Sequence, residues 1–210
     1  IKDVEIVERL DQKLGLIDLV FTMAYDAKVN YIDTLTSVKM WDVIISNYLL
    51  DKNIVVPKKE ATTKTRQIQG AYVKDPQVGM HKWVCSFDLN SLYPHLIMQY
   101  NISPDTLISH VGRSYNVDQI LDGAYHDDFI RTKMEDENCA VSATGFMFTK
   151  DKRGFLPELM EKLYKDRKVY KGRMLDAKQK YEETPTKELE REISRYDNLQ
   201  MARKIQLNSA

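Results

Sequence analysis

Two long stretches of helical periodicity lie next to each other in the last third of the chain, separated by Glu182-Glu-Thr-Pro185. The first, residues 157–181, has its apolar side chains at Leu159, Leu163, Val169, Tyr170 and Leu175. The second has a single apolar stripe through Leu189, Ile193, Tyr196, Leu199 and Ala202. Pro157 suits the first turn of one helix, and Pro185 can start the next. Because the break is short, the pattern predicts an antiparallel hairpin of helices, each roughly 35 Å long.

Helical periodicity also dominates the first quarter of the chain. Apolar residues from Val4 to Ala24 predict one helix, with Asp3 at its start. Residues Ser37 to Leu50 predict a second helix. Residues 51–70 contain many Lys, Thr and Gln side chains and are expected to form a linker.

The middle of the chain mixes strand and helix signals, so we expect an α+β fold. Strands are predicted at Trp83–Phe87 and at Ala140–Phe148. A short helix is predicted at Pro94–Tyr100. Residues 105–137 are expected to be mixed and rich in loops.

Charge and cysteine content exclude several classes of protein. The 210 residues include 31 Lys and Arg against 31 Asp and Glu, so a nucleic-acid binder of this composition needs its basic residues in one place. The separated cysteines Cys85 and Cys139 argue against a disulfide scaffold or a zinc site and favour the reducing cytoplasm. No apolar run approaches the roughly 20 residues of a membrane span. We therefore expect a cytoplasmic protein without a membrane partner.

The segment Asp88-Leu-Asn-Ser-Leu-Tyr-Pro94 follows a predicted strand and opens a predicted helix. The Asp88 carboxylate and the Leu89 carbonyl are hard oxygen donors of the kind that Mg²⁺ prefers. The N–H groups of Ser91, Leu92 and Tyr93 are expected at a helix N-terminus, where phosphate oxygens bind readily. A helix cap or a turn would explain Asp88 by itself, but these neighbours favour a metal and phosphate site.

Positive charge is concentrated on the predicted hairpin. Arg167 and Lys171 are four residues apart, as are Lys204 and Asn208, so each pair projects from one face of its helix. The four side chains can bind one anion, the guanidinium as a fork and the lysines as point charges. A solvated face with ion pairs between neighbouring turns explains the same charges, and the hairpin alone favours this simpler interpretation.

Several spaced segments together resemble the motifs of family B DNA polymerases. Asp88-Leu-Asn-Ser-Leu-Tyr-Pro94 is similar to their motif A, D-x-x-S-L-Y-P, and Lys204-Ile-Gln-Leu-Asn-Ser-Ala210 to the first seven positions of motif B, K-x-x-x-N-S-x-Y-G. Arg167-Lys-Val-Tyr-Lys171 resembles the arginine and lysine of the fingers helix, and Gly70-Ala-Tyr-Val-Lys74 the segment that joins the exonuclease and palm domains. Asn101-Ile-Ser-Pro-Asp-Thr106 resembles in particular the replicative polymerases of large T-even-type tailed phages.

The resemblance implies an arrangement of domains. Residues 1–62 would be the C-terminal helices of an exonuclease domain and a linker, residues 63–153 the N-terminal part of a palm, and residues 154–210 the fingers hairpin. The fold would then be a partial palm sheet with flanking helices and an antiparallel two-helix hairpin. The resemblance also implies DNA-directed DNA polymerase activity, with primer–template DNA and dNTPs as partners.

The resemblance assigns roles to individual residues. Asp88 would be the catalytic carboxylate that binds the two Mg²⁺ ions, assisted by the carbonyl of Leu89. The Tyr93 ring would exclude a ribose 2′-OH and so select deoxynucleotides. The dNTP-binding residues would be Ser91, Leu92, Tyr93, Arg167, Lys171, Lys204 and Asn208. The DNA-binding residues would be Gly70, Ala71, Tyr72 and Lys74. Asp3 would be the last metal-binding Asp of the exonuclease site, and His95 a packing or capping residue.

The D-T-D motif that supplies the second palm carboxylate does not occur in the 210 residues, and the sequence ends within motif B. We therefore expect a polymerase segment that is inactive alone and needs the remaining polymerase fragment. The segment would be either a truncation or one half of a naturally split enzyme. The alternative function is a non-catalytic module that binds nucleic acid or nucleotides. An unrelated phosphate-binding enzyme is disfavoured, because neither G-x-x-x-x-G-K-[ST] nor G-x-G-x-x-G occurs.

Overall fold

A computed structural model of the chain describes residues 2–56, 58, 71–126 and 128–209. The helices are α1 (Lys2–Leu14), α2 (Leu16–Ala27), α3 (Ser37–Asp51), α4 (Leu92–Tyr100), α5 (Val117–Leu121), α6 (Asp128–Asp136), α7 (Phe155–Glu183) and α8 (Lys187–Asn208). The strands are β1 (Leu107–His110), β2 (Cys139–Val141) and β3 (Phe146–Thr149). This mixture confirms the α+β fold class.

The chain divides into two compact units. One comprises the residues up to Val56 together with those from Glu158 onward, and the other extends from Pro57 to Pro157. The division into exonuclease, palm and fingers segments stays a prediction. The predicted linker lies largely outside the described residues, since these do not include 57 or 59–70.

The first unit is built on the contact between α2 and α8. Its buried cluster consists of Met23, Ala27, Met40 and Ala202. Small residues at two of these positions let the helices approach closely, while the methionines fill the remaining space. This cluster buries one side of α8 and leaves its other side at the surface.

The predicted N-terminal helix is wrong in one respect, because the structure has two helices there. The apolar pattern continues through Gly15, but this residue has a φ of 60° and ends α1 before α2 begins. Glycine adopts this left-handed conformation without a steric penalty. The side chains of α1 are largely exposed, whereas α2 buries Met23, Ala24 and Ala27.

The antiparallel helical hairpin is confirmed. The 29 residues of α7 span about 43 Å and the 22 residues of α8 about 33 Å. The second helix starts just after Pro185, where the Thr186 hydroxyl accepts a hydrogen bond from the Leu189 N–H at 3.2 Å. This is the usual capping contact of a helix N-terminus.

Two contacts fix the register of the hairpin. Asp166 on α7 forms an ion pair of 3.3 Å with Arg203 on α8. Further along, the guanidinium carbon of Arg173 lies 5.7 Å from the ring centroid of Tyr196. Seven residues forward on α7 therefore correspond to seven residues backward on α8, as an antiparallel pair requires.

The second unit contains a three-stranded antiparallel sheet in the order β1-β3-β2. Its core packs α6 against β2 and β3 through Ile130, Cys139, Val141 and Met147. The predicted strand Ala140–Phe148 is wrong, because the chain reverses within it and forms a hairpin. Gly145, at a φ of 84°, supplies the turn, and its N–H donates to the carbonyl of Ser142 at 2.8 Å.

The strand predicted at Trp83–Phe87 is also wrong. These residues make no ladder among the described segments, and the side chains of Trp83 and Phe87 are 98% and 94% exposed. The apolar pattern favours a strand, but a strand forms only with a hydrogen-bonded neighbour.

Residues 105–137, which were expected to be rich in loops, contain the regular elements β1, α5 and α6. Asn116 and Gln119 form a capping box at α5, a signal that the sequence contains.

None of the helices in the described part of the chain combines the length and the apolar character needed to cross a membrane.

Candidate active site

Asp88 and Leu89 lie in the second unit, immediately before the turn that opens α4. Both residues are exposed, Leu89 to 70%. The segment before them has no regular secondary structure from Val84 to Leu89. The Asp88 carboxylate is therefore accessible to a ligand from solvent.

A left-handed residue starts α4. Ser91 has a φ of 53°, an uncommon conformation for a residue with a side chain. Its carbonyl accepts hydrogen bonds from the main-chain N–H of His95 at 3.1 Å and from the Nδ1 atom of the same residue at 2.9 Å. This contact packs the His95 ring against the turn, and the packing or capping role expected for His95 stays a prediction. The turn thus presents the first N–H groups of α4, those of Ser91, Leu92 and Tyr93, which have no partner within a helix.

The other end of α4 is fixed by Asn101, the first residue of the Asn101–Thr106 segment. This residue is 5% exposed and left-handed, with a φ of 55°. Its amide nitrogen donates to the carbonyls of Thr149 at 2.6 Å and Lys152 at 2.8 Å, and its amide oxygen accepts from the N–H of Gly154 at 3.0 Å. Asn101 therefore uses every side-chain polar atom to join α4 to the segment after β3. The signal in the sequence was an Asn directly after a helical run.

On the hairpin, Arg167 is half-buried, whereas Lys171, Lys204 and Asn208 are exposed. The Nε atom of Arg167 is buried without a hydrogen-bond partner among the described residues. An unsatisfied buried donor is uncommon and costs free energy. Because this atom is buried, a ligand can reach it only if the Arg167 side chain or its surroundings move.

The register of the hairpin places these four side chains in a row rather than at one point. Lys204 is level with Lys165, which is two residues or about 3 Å from Arg167 along the axis. Asn208 is level with residue 161 of α7, which is ten residues or about 15 Å from Lys171 along the helix axis. This length suits an extended polyanion better than a single phosphate.

Buried polar contacts hold the end of α8 that contains Lys204 and Asn208. Gln206 is fully buried, and its amide nitrogen donates to Asp26 on α2 at 2.8 Å. Arg203 forms an ion pair with the same carboxylate and a second one with Asp166. These contacts link residues far apart in the sequence, so no local pattern indicated them. They leave Lys204 and Asn208 on the opposite, exposed surface.

A polar cluster lies at the start of α7 in the first unit. Lys52 contacts the carboxylate of Glu158 at 2.8 Å. The hydrogen bond from Lys52 holds the pKa of Glu158 below its ordinary value. The pair is roughly half exposed, so solvent screens it and its contribution to stability is small.

Sequence-predicted residues elsewhere are at the surface. Asp3 is exposed in the first turn of α1, and Ala71, Tyr72 and Lys74 are exposed in an irregular segment. Gly70 lies outside the described residues. No group of three or more His, Cys, Asp or Glu side chains among the described residues is placed to hold a metal ion.

The sequence model of DNA polymerase family B matches residues 33–210, which is most of the chain. The chain belongs to DNA polymerase family B. The resemblance inferred from its motifs, including that to phage enzymes of the T-even type, is confirmed.

Two family B relatives are named DNA-directed DNA polymerase. That of Enterobacteria phage T4 is 34% identical over 172 residues, which cover 82% of this chain and 18% of the relative. That of Escherichia phage RB69 is 35% identical over 175 residues, which cover 83% of this chain and 18% of the relative. The chain thus spans 18% of the length of these relatives.

A solved structure shares the fold of this chain. It is the family B DNA polymerase from the hyperthermophilic archaeon Pyrobaculum calidifontis, with a TM-score of 0.61 and 21% sequence identity. The match covers 95% of this chain and 22% of the archaeal polymerase. The likeness extends over both compact units.

Proposed function

We propose that this chain is part of a DNA-directed DNA polymerase and supplies residues that bind the incoming dNTP and a catalytic Mg²⁺. The observation that carries the proposal is the exposed Asp88 directly before the left-handed Ser91 turn of α4. An accessible carboxylate and a set of free helix N–H groups come from one short segment. Its sequence is similar to motif A of the family to which the chain belongs.

The residues of this segment fit Mg²⁺ in chemistry, because a carboxylate and a carbonyl are hard oxygen donors. Asp88 and the carbonyl of Leu89 would hold the ion. When bound, the metal stabilises the charge that develops on the reacting phosphate. The described residues supply no larger acidic cluster, and the 210 residues contain no Asp-Thr-Asp sequence. We therefore propose that this chain contributes only part of the ligand set.

The chain's own residues would bind and orient the nucleotide. The N–H groups of Ser91, Leu92 and Tyr93 would donate to the triphosphate oxygens, since a helix N-terminus favours anions. The Tyr93 ring is 68% exposed, so it would be able to contact the nucleotide and sterically exclude a 2′-OH on its sugar. The row of Arg167, Lys171, Lys204 and Asn208 would bind phosphates through charged hydrogen bonds.

Primer–template DNA is the proposed macromolecular partner. The exposed Tyr72 and Lys74 offer a ring and a positive charge to the DNA backbone, and Gly70 and Ala71 are proposed beside them from the resemblance alone. A polymerase fragment with the second palm carboxylate is the proposed protein partner. Asp3 is proposed as a metal ligand of an exonuclease site. We propose the reducing cytoplasm of a host cell as the location, in agreement with two free cysteines.

Primer extension with Mg²⁺ and dNTPs tests the proposal. We expect no extension by this chain alone and extension after addition of a fragment that contains the Asp-Thr-Asp motif. In the combined reaction, Asp88→Asn should nearly abolish incorporation, because the charge needed for metal binding is lost while the shape is kept. Asp122→Asn, which removes an exposed carboxylate of the second unit, is the matched control and should leave the rate unchanged. Normal extension by Asp88→Asn would refute the metal assignment.

The main alternative is a non-catalytic module that binds nucleic acid. The single carboxylate at the start of α4 favours it, since metal-assisted phosphoryl transfer needs a larger ligand set. This alternative predicts DNA binding that weakens with salt and no incorporation with any complementing fragment.

A further inference from the structure

A pocket of about 610 Å³ lies between α2, α7 and α8 of the first unit. Five of its residues form a distinct group, the tyrosine–arginine pocket, which consists of Tyr25, Tyr170, Arg173, Arg195 and Tyr196. The volume is within the range of pockets that hold small ligands or single nucleotides. None of these residues belongs to the sites proposed above.

The rings of this pocket are available to a ligand. Tyr25 is 90% exposed, although it follows the buried residues Met23 and Ala24 on α2. Tyr170 and Tyr196 are half-buried on α7 and α8. Aromatic faces left at the surface beside a pocket can stack on a planar ligand such as a nucleobase.

The pocket is also positively charged. The guanidinium carbons of Arg173 and Arg195 lie 5.7 and 6.0 Å from the ring centroid of Tyr196. Neither arginine forms an ion pair within the described part of the chain. Asp26 also lines the pocket, but its carboxylate is already bound by Arg203 and Gln206. Two guanidinium groups are therefore left to pair with an anion.

We propose that the tyrosine–arginine pocket binds single-stranded DNA, with a base stacked on the exposed ring of Tyr25 and the adjoining phosphates paired with the two arginines. Stacking on tyrosine is open to an unpaired base, whereas a paired base keeps its faces against its neighbours in the duplex. An arginine that contacts a ring can still donate hydrogen bonds to phosphate, because its N–H groups lie in the plane of the guanidinium and point away from the ring. The choice of DNA as the strand rests on the proposed function.

The test measures binding of the whole chain to a fluorescein-labelled dT12 strand by anisotropy, in EDTA and without dNTPs. Arg195→Gln and Tyr25→Leu should each raise the Kd about tenfold, within the range of loss for one stacked base or one phosphate contact. Arg195→Gln should also lower the salt dependence by about one ion. Because Tyr25 is almost fully exposed, Tyr25→Leu should fold normally.

Arg191→Gln on α8 and Tyr181→Leu on α7 are matched controls, since neither residue lines the pocket. Both should change the Kd less than twofold. An unchanged Kd for the pocket variants, or equal losses in the controls, would overturn the proposal. Equally tight binding of a fluorescein-labelled hairpin duplex would also overturn it, because the pocket would then not require an unpaired base. Full competition by dTTP would overturn it as well, because the ligand would then be a single nucleotide and not a strand.

The pocket and the polymerase assignment fail separately in these assays. Asp88→Asn should leave dT12 binding intact in EDTA while it abolishes extension in the combined reaction. If the pocket variants bind dT12 normally while Asp88→Asn abolishes extension, only the pocket proposal is refuted. If the pocket variants lose dT12 binding while Asp88→Asn extends primers normally, only the polymerase proposal is refuted.

Discussion

The indole N–H of Trp41 donates to the main-chain carbonyl of Gln206 at 3.1 Å, across 165 positions of sequence. The bond is buried and joins α3 to the last turn of α8. The hydroxyl oxygen of Ser209 accepts from the same indole at 3.3 Å. The sequence around Lys204 and Asn208 is thus held by a contact that neither helix can make alone.

Trp41→Phe should lower the free energy of unfolding by about 1 kcal/mol or more, because the carbonyl of Gln206 loses a buried donor. Urea denaturation followed by circular dichroism measures this loss. Trp83→Phe is the control, since Trp83 is 98% exposed, and it should change stability far less. Equal effects of the two substitutions would show that the indole hydrogen bond does not stabilise the chain.

Asn101→Asp should destabilise the second unit by about 2 to 4 kcal/mol, although it barely changes the shape of the side chain. A carboxylate cannot donate, so it would face the carbonyls of Thr149 and Lys152 without a hydrogen bond. Asn101→Ala should also destabilise the unit, because all three side-chain hydrogen bonds are lost. Thermal unfolding gives the comparison, and Asn90→Ala in the exposed turn before α4 is the control. A stable Asn101→Asp would contradict the assigned amide orientation.

Gly145→Ala should be clearly more damaging than Gly112→Ala. Both glycines have a positive φ, which costs roughly 1 to 2 kcal/mol for a residue with a Cβ. A Cβ at Gly145 would also lie 1.9 Å from the carbonyl oxygen of Arg113, whereas one at Gly112 has open space. Differential scanning calorimetry measures both changes in Tm. Similar losses would mean that the turn can move away from Arg113.

Cys85 should react with iodoacetamide much faster than Cys139 in the folded chain, because Cys85 is exposed and Cys139 is buried. Burial raises the pKa of the Cys139 thiol, and the neighbouring Glu137 carboxylate raises it further, so less of the reactive thiolate forms. Mass spectrometry of timed digests gives both rates. In urea the two cysteines should react at similar rates; a fast Cys139 in the folded chain would contradict its burial in the sheet.

The raised pKa of Cys139 also predicts a pH dependence of stability. The folded state holds the thiol proton more tightly than the unfolded chain does. This contribution is complete below the ordinary thiol pKa of about 8.5 and is lost as the pH rises through the folded value. The stability of wild type should therefore fall more steeply than that of Cys139→Ala above this pH, in urea titrations at matched ionic strength.

Tyr93→Ala should allow ribonucleotides into the combined polymerase reaction. The proposed gate is steric, so removal of the ring should raise the ratio of rNTP to dNTP incorporation by at least tenfold. Tyr93→Phe keeps the ring and should keep the wild-type ratio. Gel analysis of extension with each nucleotide type measures the ratio, and an unchanged value for Tyr93→Ala would remove this role.

Regular helices were the most predictable part of this chain. The periodic pattern from Ser37 to Leu50 differs from α3 by one residue at its end, and the hairpin helices follow their apolar stripes. The same pattern missed the division at Gly15, because a single left-handed residue does not interrupt the spacing of apolar side chains. Local periodicity thus reports the helical segments better than their boundaries.

The strands and the supporting contacts were harder to predict, because both depend on distant residues. The apolar run at Trp83–Phe87 has the composition of a strand but no hydrogen-bonded neighbour in the described structure. The candidate motif residues were identified from the sequence, whereas the distant contacts of Asn101 and Gln206 were not. Their importance comes from groups about 50 and 165 to 180 positions away.

The register of the hairpin also limits how its length can change. Each residue of an α-helix turns the chain by about 100°. One residue inserted between Arg167 and Arg173 would therefore turn Arg173 by about 100° around the helix axis relative to Arg167. It would also break the pairing of Asp166 with Arg203 or of Arg173 with Tyr196, since the two contacts lie seven residues apart on both helices. Changes of length should be tolerated only in the turn at 184–186, where they alter neither the angular positions of side chains on the helices nor the two contacts between them.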